Sequence, residues 1–310
     1  MRATTLDSPD TQPAVREDLP EPTPAENEIL VRVQASSVNP VDNSIAAGML
    51  AQMGVEYEYP VILGRDYAGV VEQAGSAVTG YRPGDRVFGF LLHANPTVRD
   101  GAWAELVTVT EELSIAAVPD GVDLAVAGAA PLAGITAIAA VDALELSEGD
   151  VLLVVGATGG VGSLAVQLAA RAGARIVAPA LPEDETFLRE LGVSDILPRD
   201  GDVAAAVRDL VPDGVDALLD VVNYAPGTYD AALKDGARVA SPTGAAGEGP
   251  GRSMVMADPT ADNLQRLGAL LADGTLRVPV QATYELDQAP EALAALPRQH
   301  TQGKLAIKVR

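Results

Sequence analysis

The sequence contains no cysteine, one tryptophan, three phenylalanines and only two histidines, His93 and His300. Without cysteine there is no disulfide framework, no thiolate nucleophile and no cysteine-ligated zinc site. With two histidines, no two-histidine metal motif and at most one Ser-His arrangement can be built. Basic residues are also scarce: 21 Lys and Arg stand against 43 Asp and Glu, for a formal charge of -22. Such a field repels phosphate backbones and anionic lipid surfaces, which argues against nucleic-acid and membrane partners. Met1–Pro9 lacks the apolar stretch of a secretory signal. The longest uncharged run, Leu124–Val141, has the length of a membrane span but is broken by Gly128, Pro131 and Gly134, so a buried helix pair is expected instead. The expectation is a soluble, cytoplasmic protein. No Tyr-x-x-x-Lys pair, G-x-S-x-G elbow, phosphate-loop G-x-x-x-x-G-K-[ST] or H-E-x-x-H occurs.

What is present is 310 residues, 48% apolar and 21% charged, enough for two domains with proper cores. The first third carries short β-type runs at Ile29–Val33, Gly69–Gln73, Arg86–Phe90 and Ala104–Val109, with turns at Gly75–Ser76 and Pro83–Asp85, as in a β-barrel. Near Val118–Asp120 the pattern changes to alternating strands and helices. Strands are predicted at Val151–Val155, Arg175–Ala178, Asp195–Leu197, Val215–Val222 and Ala237–Ser241. Helices are predicted around Glu183–Leu191, Val203–Leu210 and Gly227–Lys234, and further on at Ala261–Ala272 and Ala289–Leu296. The middle segment therefore reads as a doubly wound sheet. Lys304–Val309 alternates as a strand that could return to the first domain's sheet.

GATGGVG, Gly156–Gly162, lies between an unbroken apolar strand and a helical pattern closed by Gly173, the context of a dinucleotide-binding turn. Read as Ala157-x-Gly159-x-x-Gly162, it puts alanine at the first glycine position. Gly159 then lets the main chain approach a pyrophosphate, and Gly162 lets the helix pack on the strand, with the helix N-terminus supplying donors. The tip of the next strand, through Ala180, carries no carboxylate, which favours NADPH; Glu183, Asp184 and Glu185 follow closely and leave NADH open. Arg199, after the third strand, is the nearest counter-charge for a 2′-phosphate, or else a solvated loop arginine.

SVNPVD (37–42), PVILGRDYAGVV (60–71), GDRVFG (84–89), GAWAE (101–105), PLAGITA (131–137), GATGGVG and GKLAIKV (303–309) appear in the order of the medium-chain dehydrogenase/reductase superfamily. Together they resemble its zinc-independent quinone oxidoreductase branch over nearly the whole chain. The resemblance implies an α/β protein with a GroES-like β-barrel catalytic domain (1–120 and 258–310) and a doubly wound Rossmann domain (121–257), with the active site in the cleft between them. Zinc relatives place ligand cysteine and histidine where this chain has Asn39 and Arg65, so no zinc is expected. Direct hydride transfer to a quinone or an α,β-unsaturated carbonyl remains.

By the same resemblance, Asn39 is the catalytic hydrogen-bond donor to the substrate oxygen. Asp42 and Arg65 are expected as a buried pair where the relatives have their metal network, or as a plain structural salt bridge, and with Leu132 are assigned to the substrate pocket; Tyr57 and Tyr59 are candidate pocket walls or else ordinary packing or surface residues. Thr136, Thr158, Gly159, Gly160, Val161, Gly162, Ala180, Arg199, Asn223 and Lys304 are expected to contact the cofactor, Lys304 from the other domain or else as an exposed strand lysine. The chain departs from the family at Ala46 and Met49, where an arginine and an aromatic residue are common, and at Asn223, where a glycine is usual. No obligatory proton donor stands out, and solvent can complete protonation. Two alternatives stay open: a cofactor-binding sensor or structural protein with little turnover, and a trans-acting enoyl reductase of a polyketide pathway. A homodimer through Arg238–Met256 is expected from the family habit.

Overall fold

The β-branched runs of the first third find their hydrogen-bond partners across long sequence separations, as the computed structural model shows for residues 1–9, 11–92 and 100–310. His93 falls outside the described residues. By contacts the chain divides into a first unit, Met1–Leu132 with Pro259–Gly274 and Val280–Arg310, and a second unit, Ala133–Asp258 with Thr275–Pro279.

In the first unit a seven-stranded sheet runs Val280–Glu285, Lys304–Lys308, Glu28–Ser37, Asp66–Ala74, Arg86–Phe90 and Ala116–Ala117, and Leu106–Thr110 also pairs with Glu28–Ser37. The strand Glu28–Ser37 changes neighbours along its length. Residues 28–32 pair with Leu106–Thr110, and residues 35–37 pair with the strand Lys304–Lys308. Register shifts at Leu30/Val31 and Val33/Ala35 accompany the exchange. Irregularities of this kind bend a strand and re-aim its side chains, which is how a sheet curls into a barrel. Ala3–Leu6, Ala14–Arg16 and Val61–Ile62 make a smaller sheet. The core gathers Ile29, Val31, Val33, Leu63, Tyr67, Trp103 and Ile307, all buried. Each such aliphatic side chain contributes about 1.5–3 kcal/mol on burial. Trp103 also donates its indole N–H to the carbonyl of Ser37 at 3.2 Å, fixing the end of the long strand.

Two boundaries move relative to the sequence expectation. The first unit extends to Leu132 rather than 120, because the helix Leu124–Ala129 packs on the strands Glu28–Ser37, Asp66–Ala74 and Lys304–Lys308. Residues 275–279 belong to the second unit, where Gln167 brackets Arg277 with a bond from its side-chain NH2 to the Arg277 carbonyl (2.9 Å) and a bond from the Arg277 N–H (3.0 Å). The run Leu124–Val141 forms the expected pair of helices, Leu124–Ala129 and Pro131–Ala143.

The second unit holds a six-stranded, all-parallel sheet. Its order is Asp195–Pro198, Arg175–Ala180, Val151–Val155, Val215–Asp220, Leu233–Ser241 and Arg252–Met254. Numbered along the chain this is 3-2-1-4-5-6, the doubly wound order whose crevice opens at the C-terminal ends of the first and fourth strands. The helix expected at Gly227–Lys234 does not form. A single 3-10 turn at Asp230–Ala232 takes its place, because Leu233 already enters the strand that pairs with Val215. Too few residues remain for helix nucleation to be repaid. Among the described residues no helix is long and apolar enough to cross a membrane.

Candidate active site

Pro40 opens the helix Pro40–Ala46, a position where its missing N–H costs nothing, and Asn39 is its extended N-cap. Asp42 reaches back to the Asn39 N–H at 2.8 Å, as the third residue of a capping box does. The Asn39 side chain itself makes no cap hydrogen bond. It donates from Nδ2 to Asp66 Oδ2 at 2.8 Å, and its Oδ1 accepts from Lys304 Nζ at 2.6 Å. Lys304 also donates to the Val38 carbonyl at 3.0 Å and stands 3.6 Å from Asp66 Oδ2.

Asp66 is the hub of this cluster. Beyond Asn39 it accepts from the Ser37 hydroxyl at 2.5 Å and from the Leu132 N–H at 2.8 Å, and its carbonyl accepts from the Ser36 hydroxyl at 2.5 Å. Ser36, Ser37, Asn39, Asp42, Arg65, Asp66 and Lys304 are all buried, so each hydrogen bond acts in a low-dielectric setting. Sequence reasoning missed Asp66 and Ser37. The available signal was a carboxylate inside the otherwise apolar run PVILGRDYAGVV. Lys304 is neither an exposed strand lysine nor free to extend, since its ammonium is engaged beside Asn39.

The expected Asp42–Arg65 ion pair is absent among the described residues. Asp42 is held by its own helix cap, while Arg65 donates to the carbonyls of Leu92 at 3.1 Å and Ile62 at 3.0 Å. The two groups interact through space. Burial pushes the Asp42 carboxyl up to about 7, against the opposing pull of Arg65 and the Asn39 N–H. Burial lowers the Arg65 guanidinium, with Asp42 opposing. Lys304 is likewise lowered by burial, with Asp66 and Asp42 pulling it back up. Tyr57 and Tyr59 lie half-buried against the first unit's core, and burial raises the Tyr57 phenol while Arg65 opposes the rise.

In the second unit the glycine turn follows the strand Val151–Val155. Gly156, with φ +88°, takes the left-handed conformation that makes the tight turn possible, so the first glycine's task falls to Gly156 rather than position 157. A Cβ on Gly162 would stand 2.1 Å from the Gly156 carbonyl oxygen, so helix and turn touch there. Gly159 differs from both. Its φ is -73°, and a Cβ there would meet only the Gly156 carbonyl oxygen at 3.6 Å. The protein's own packing leaves room at Gly159.

The first intrahelical bond of the helix Gly160–Arg171 runs from Ser163 N–H to the Gly159 carbonyl, leaving the N–H groups of Gly160, Val161 and Gly162 ahead of it. Thr158 is partly exposed at the same end. The neighbouring strand ends bring in the other predicted residues. Arg199, exposed, donates its backbone N–H to the Ala180 carbonyl at 3.2 Å. Asn223 is braced by Asp220 through its backbone N–H (3.0 Å) and its side-chain NH2 (2.8 Å), and its carbonyl accepts from the Thr243 hydroxyl. Asp184 turns inward to cap its own turn at Leu181 N–H, which leaves Glu183 and Glu185 as the exposed acids there. Thr136 is buried on the helix Pro131–Ala143.

Both units have counterparts among known proteins. Residues 25–120 match the alcohol dehydrogenase GroES-like domain family, and residues 191–307 match the zinc-binding dehydrogenase family. The chain is 29% identical to a chloroplast envelope quinone oxidoreductase homolog of Arabidopsis thaliana, covering 94% of this chain and 92% of the relative. It is 30% identical to the chloroplastic NADPH-dependent alkenal/one oxidoreductase of the same plant, covering 91% of this chain and 72% of the relative. Among solved structures, the quinone oxidoreductase from Coxiella burnetii superposes with a TM-score of 0.86 at 28% identity, over 100% of this chain and 99% of that one. On these matches, with a GroES-like first unit and a doubly wound second unit, the chain belongs to the quinone oxidoreductase branch of the medium-chain dehydrogenase/reductase superfamily.

Proposed function

We propose that this protein is an NAD(P)H-dependent reductase of quinones or enones that works without zinc and favours NADPH. The observation that carries the proposal is the open glycine turn at the crevice of the doubly wound sheet. Gly159 has no steric or conformational reason of its own to be glycine, and a main chain that must lie against a pyrophosphate supplies one. Gly160, Val161 and Gly162 would hold that group by their N–H donors, with Thr158 beside them. Ala180 leaves the adjacent strand tip uncharged, and Arg199, held beside it, is the counter-charge for a 2′-phosphate. When bound, the reduced dinucleotide supplies a hydride from its nicotinamide.

The chain's own contribution lies at Asn39. As the conjugated system of a quinone or an enone accepts hydride, negative charge gathers on its carbonyl oxygen as a quinolate or enolate, and a preorganised amide N–H stabilises it. Nδ2 spends one hydrogen on Asp66 and keeps one for that oxygen. Solvent can protonate the product, so no further acid is needed. The absence of zinc is supported by the donor set. The chain has no cysteine, Asn39 offers a neutral amide engaged on both sides, and Arg65 is a cation that only donates.

The exposed Met254 and Met256 beside the edge strand Arg252–Met254 support a homodimer through that edge. Light scattering should give twice the chain mass at micromolar concentration.

Calorimetry with NADPH and NADH, together with their oxidation in the presence of 1,4-benzoquinone and a simple enone, tests the assignment. Tight binding of NADPH with turnover of either acceptor is expected. Binding without turnover across a broad acceptor panel would assign a sensor instead, and no binding of either dinucleotide would overturn the proposal.

A further inference from the structure

Resting on the role given to Asn39 above, we propose that Lys304 is a positioning residue that acts through Asn39, its ammonium fixing and polarising the carboxamide that donates to the reacting oxygen. The orientation argument is chemical. An ammonium only donates and a carboxylate only accepts, so Lys304 against one end of the amide and Asp66 against the other permit a single arrangement, Oδ1 on Lys304 and Nδ2 on Asp66. Flipping the amide would set NH2 against ammonium and carbonyl against carboxylate in a buried site.

The polarisation argument follows from burial. Lys304 and Asn39 are both buried, and a positive charge 2.6 Å from the amide oxygen draws electron density from the nitrogen. The remaining N–H thereby becomes a stronger donor, as in any chain of linked hydrogen bonds. A direct cofactor contact fits Lys304 less well. Its ammonium carries three hydrogens and already faces the Val38 carbonyl, Asn39 Oδ1 and Asp66 Oδ2.

Polarisation requires Lys304 to be charged, which gives it a signature in pH. Burial lowers its proton affinity, and the opposite charges facing it are Asp66 and Asp42. The helix Leu124–Ala129 packed on its strand carries no titratable side chain. On the neighbouring strands, Glu285 pairs with Lys308, and Arg32 with Glu72. On the helix Ala289–Ala295, Glu291 is exposed. Turnover should therefore fall on an alkaline limb centred below the ordinary lysine value.

The test compares Lys304→Met and Lys304→Arg with the unaltered protein, measuring kcat at saturating NADPH across pH, NADPH affinity by calorimetry, and thermal melting. Lys304→Met should lower kcat by about tenfold or more, equivalent to at least about 1.4 kcal/mol of barrier, with NADPH affinity within about twofold. Lys304→Arg should restore most of the loss and lack the alkaline limb. Full kcat in Lys304→Met, or weakened NADPH binding with unchanged saturated kcat, would overturn the proposal.

Should Lys304→Met fail to fold, the side-chain amide signal of Asn39 in ¹H–¹⁵N spectra, assigned by its loss in Asn39→Ala, decides the matter. It should shift with the midpoint of the alkaline limb, and a signal invariant across that range overturns the proposal. Unchanged turnover in Asn39→Ala would instead remove Asn39 from the reaction, an outcome the amide titration does not depend on.

Discussion

Asp66 holds the side-chain amide of Asn39 at 2.8 Å, and it does so as the acceptor for two further donors, the Ser37 hydroxyl and the Leu132 N–H. Removing that carboxylate strands two buried donors, the Asn39 amide and the Ser37 hydroxyl, and takes an opposite charge from Lys304. Asp66→Ala should therefore cost about 3–5 kcal/mol of stability, read as a lower midpoint in urea. An unchanged midpoint would mean that the cluster does not hold this part of the fold.

Asn39→Ala should lower kcat by about a hundredfold, the usual effect of deleting one donor to a developing oxyanion, while leaving NADPH affinity unchanged. Calorimetry and steady-state assays on one preparation separate the two quantities. A loss confined to cofactor affinity would place Asn39 outside the chemistry.

Gly159 and Gly162 of the turn should respond differently to added bulk. Gly159→Val should fold and melt near the normal temperature yet lose dinucleotide binding, because its Cβ meets nothing closer than 3.6 Å. Gly162→Val should be strongly destabilised, since its Cβ falls 2.1 Å from the Gly156 carbonyl oxygen. Retained NADPH binding in Gly159→Val would dismiss the turn as the pyrophosphate site.

Asp42 should make the fold less stable as the solution becomes less acidic. Its Oδ1 has no hydrogen-bond partner among the described residues, and burial holds its carboxyl at about 7 against an ordinary 3.8. Between those values the folded chain keeps the proton that the unfolded chain releases, so stability declines through the window and is level above it. Asp42→Asn should abolish the decline, moving the difference in unfolding free energy in the variant's favour by on the order of a few kcal/mol between about pH 4 and about pH 7. A difference that stays constant with pH would show that Asp42 is ionised throughout.

The second unit was legible because its signals are local. An unbroken apolar strand, a glycine turn and a helical period lie within about 25 residues of one another, and the alternation of elements then dictates a parallel sheet. The buried cluster was only partly legible. Asn39 and Lys304 stood in motifs, but Asp66 meets Ser37, Asn39 and Leu132 across separations of 29, 27 and 66 residues, and no period encodes such a meeting. Strand alternation does not separate Lys304 from Lys308 either. They share a parity, yet one is buried on Asn39 and the other pairs with Glu285 at the surface. The Asp42–Arg65 pairing failed for a related reason: two opposite charges in separate motifs do not reveal that a helix cap already engages one oxygen of the carboxylate.

The pairing of Lys304–Lys308 with Glu28–Ser37 has a consequence for biosynthesis. Asn39 emerges from the ribosome 265 residues before the lysine that orients it. Residues 133–258, the bulk of the second unit, are translated in the interval. A nascent chain can thus complete most of the second unit's sheet while Asn39 Oδ1 still lacks the Lys304 ammonium, which arrives only with the closing strand.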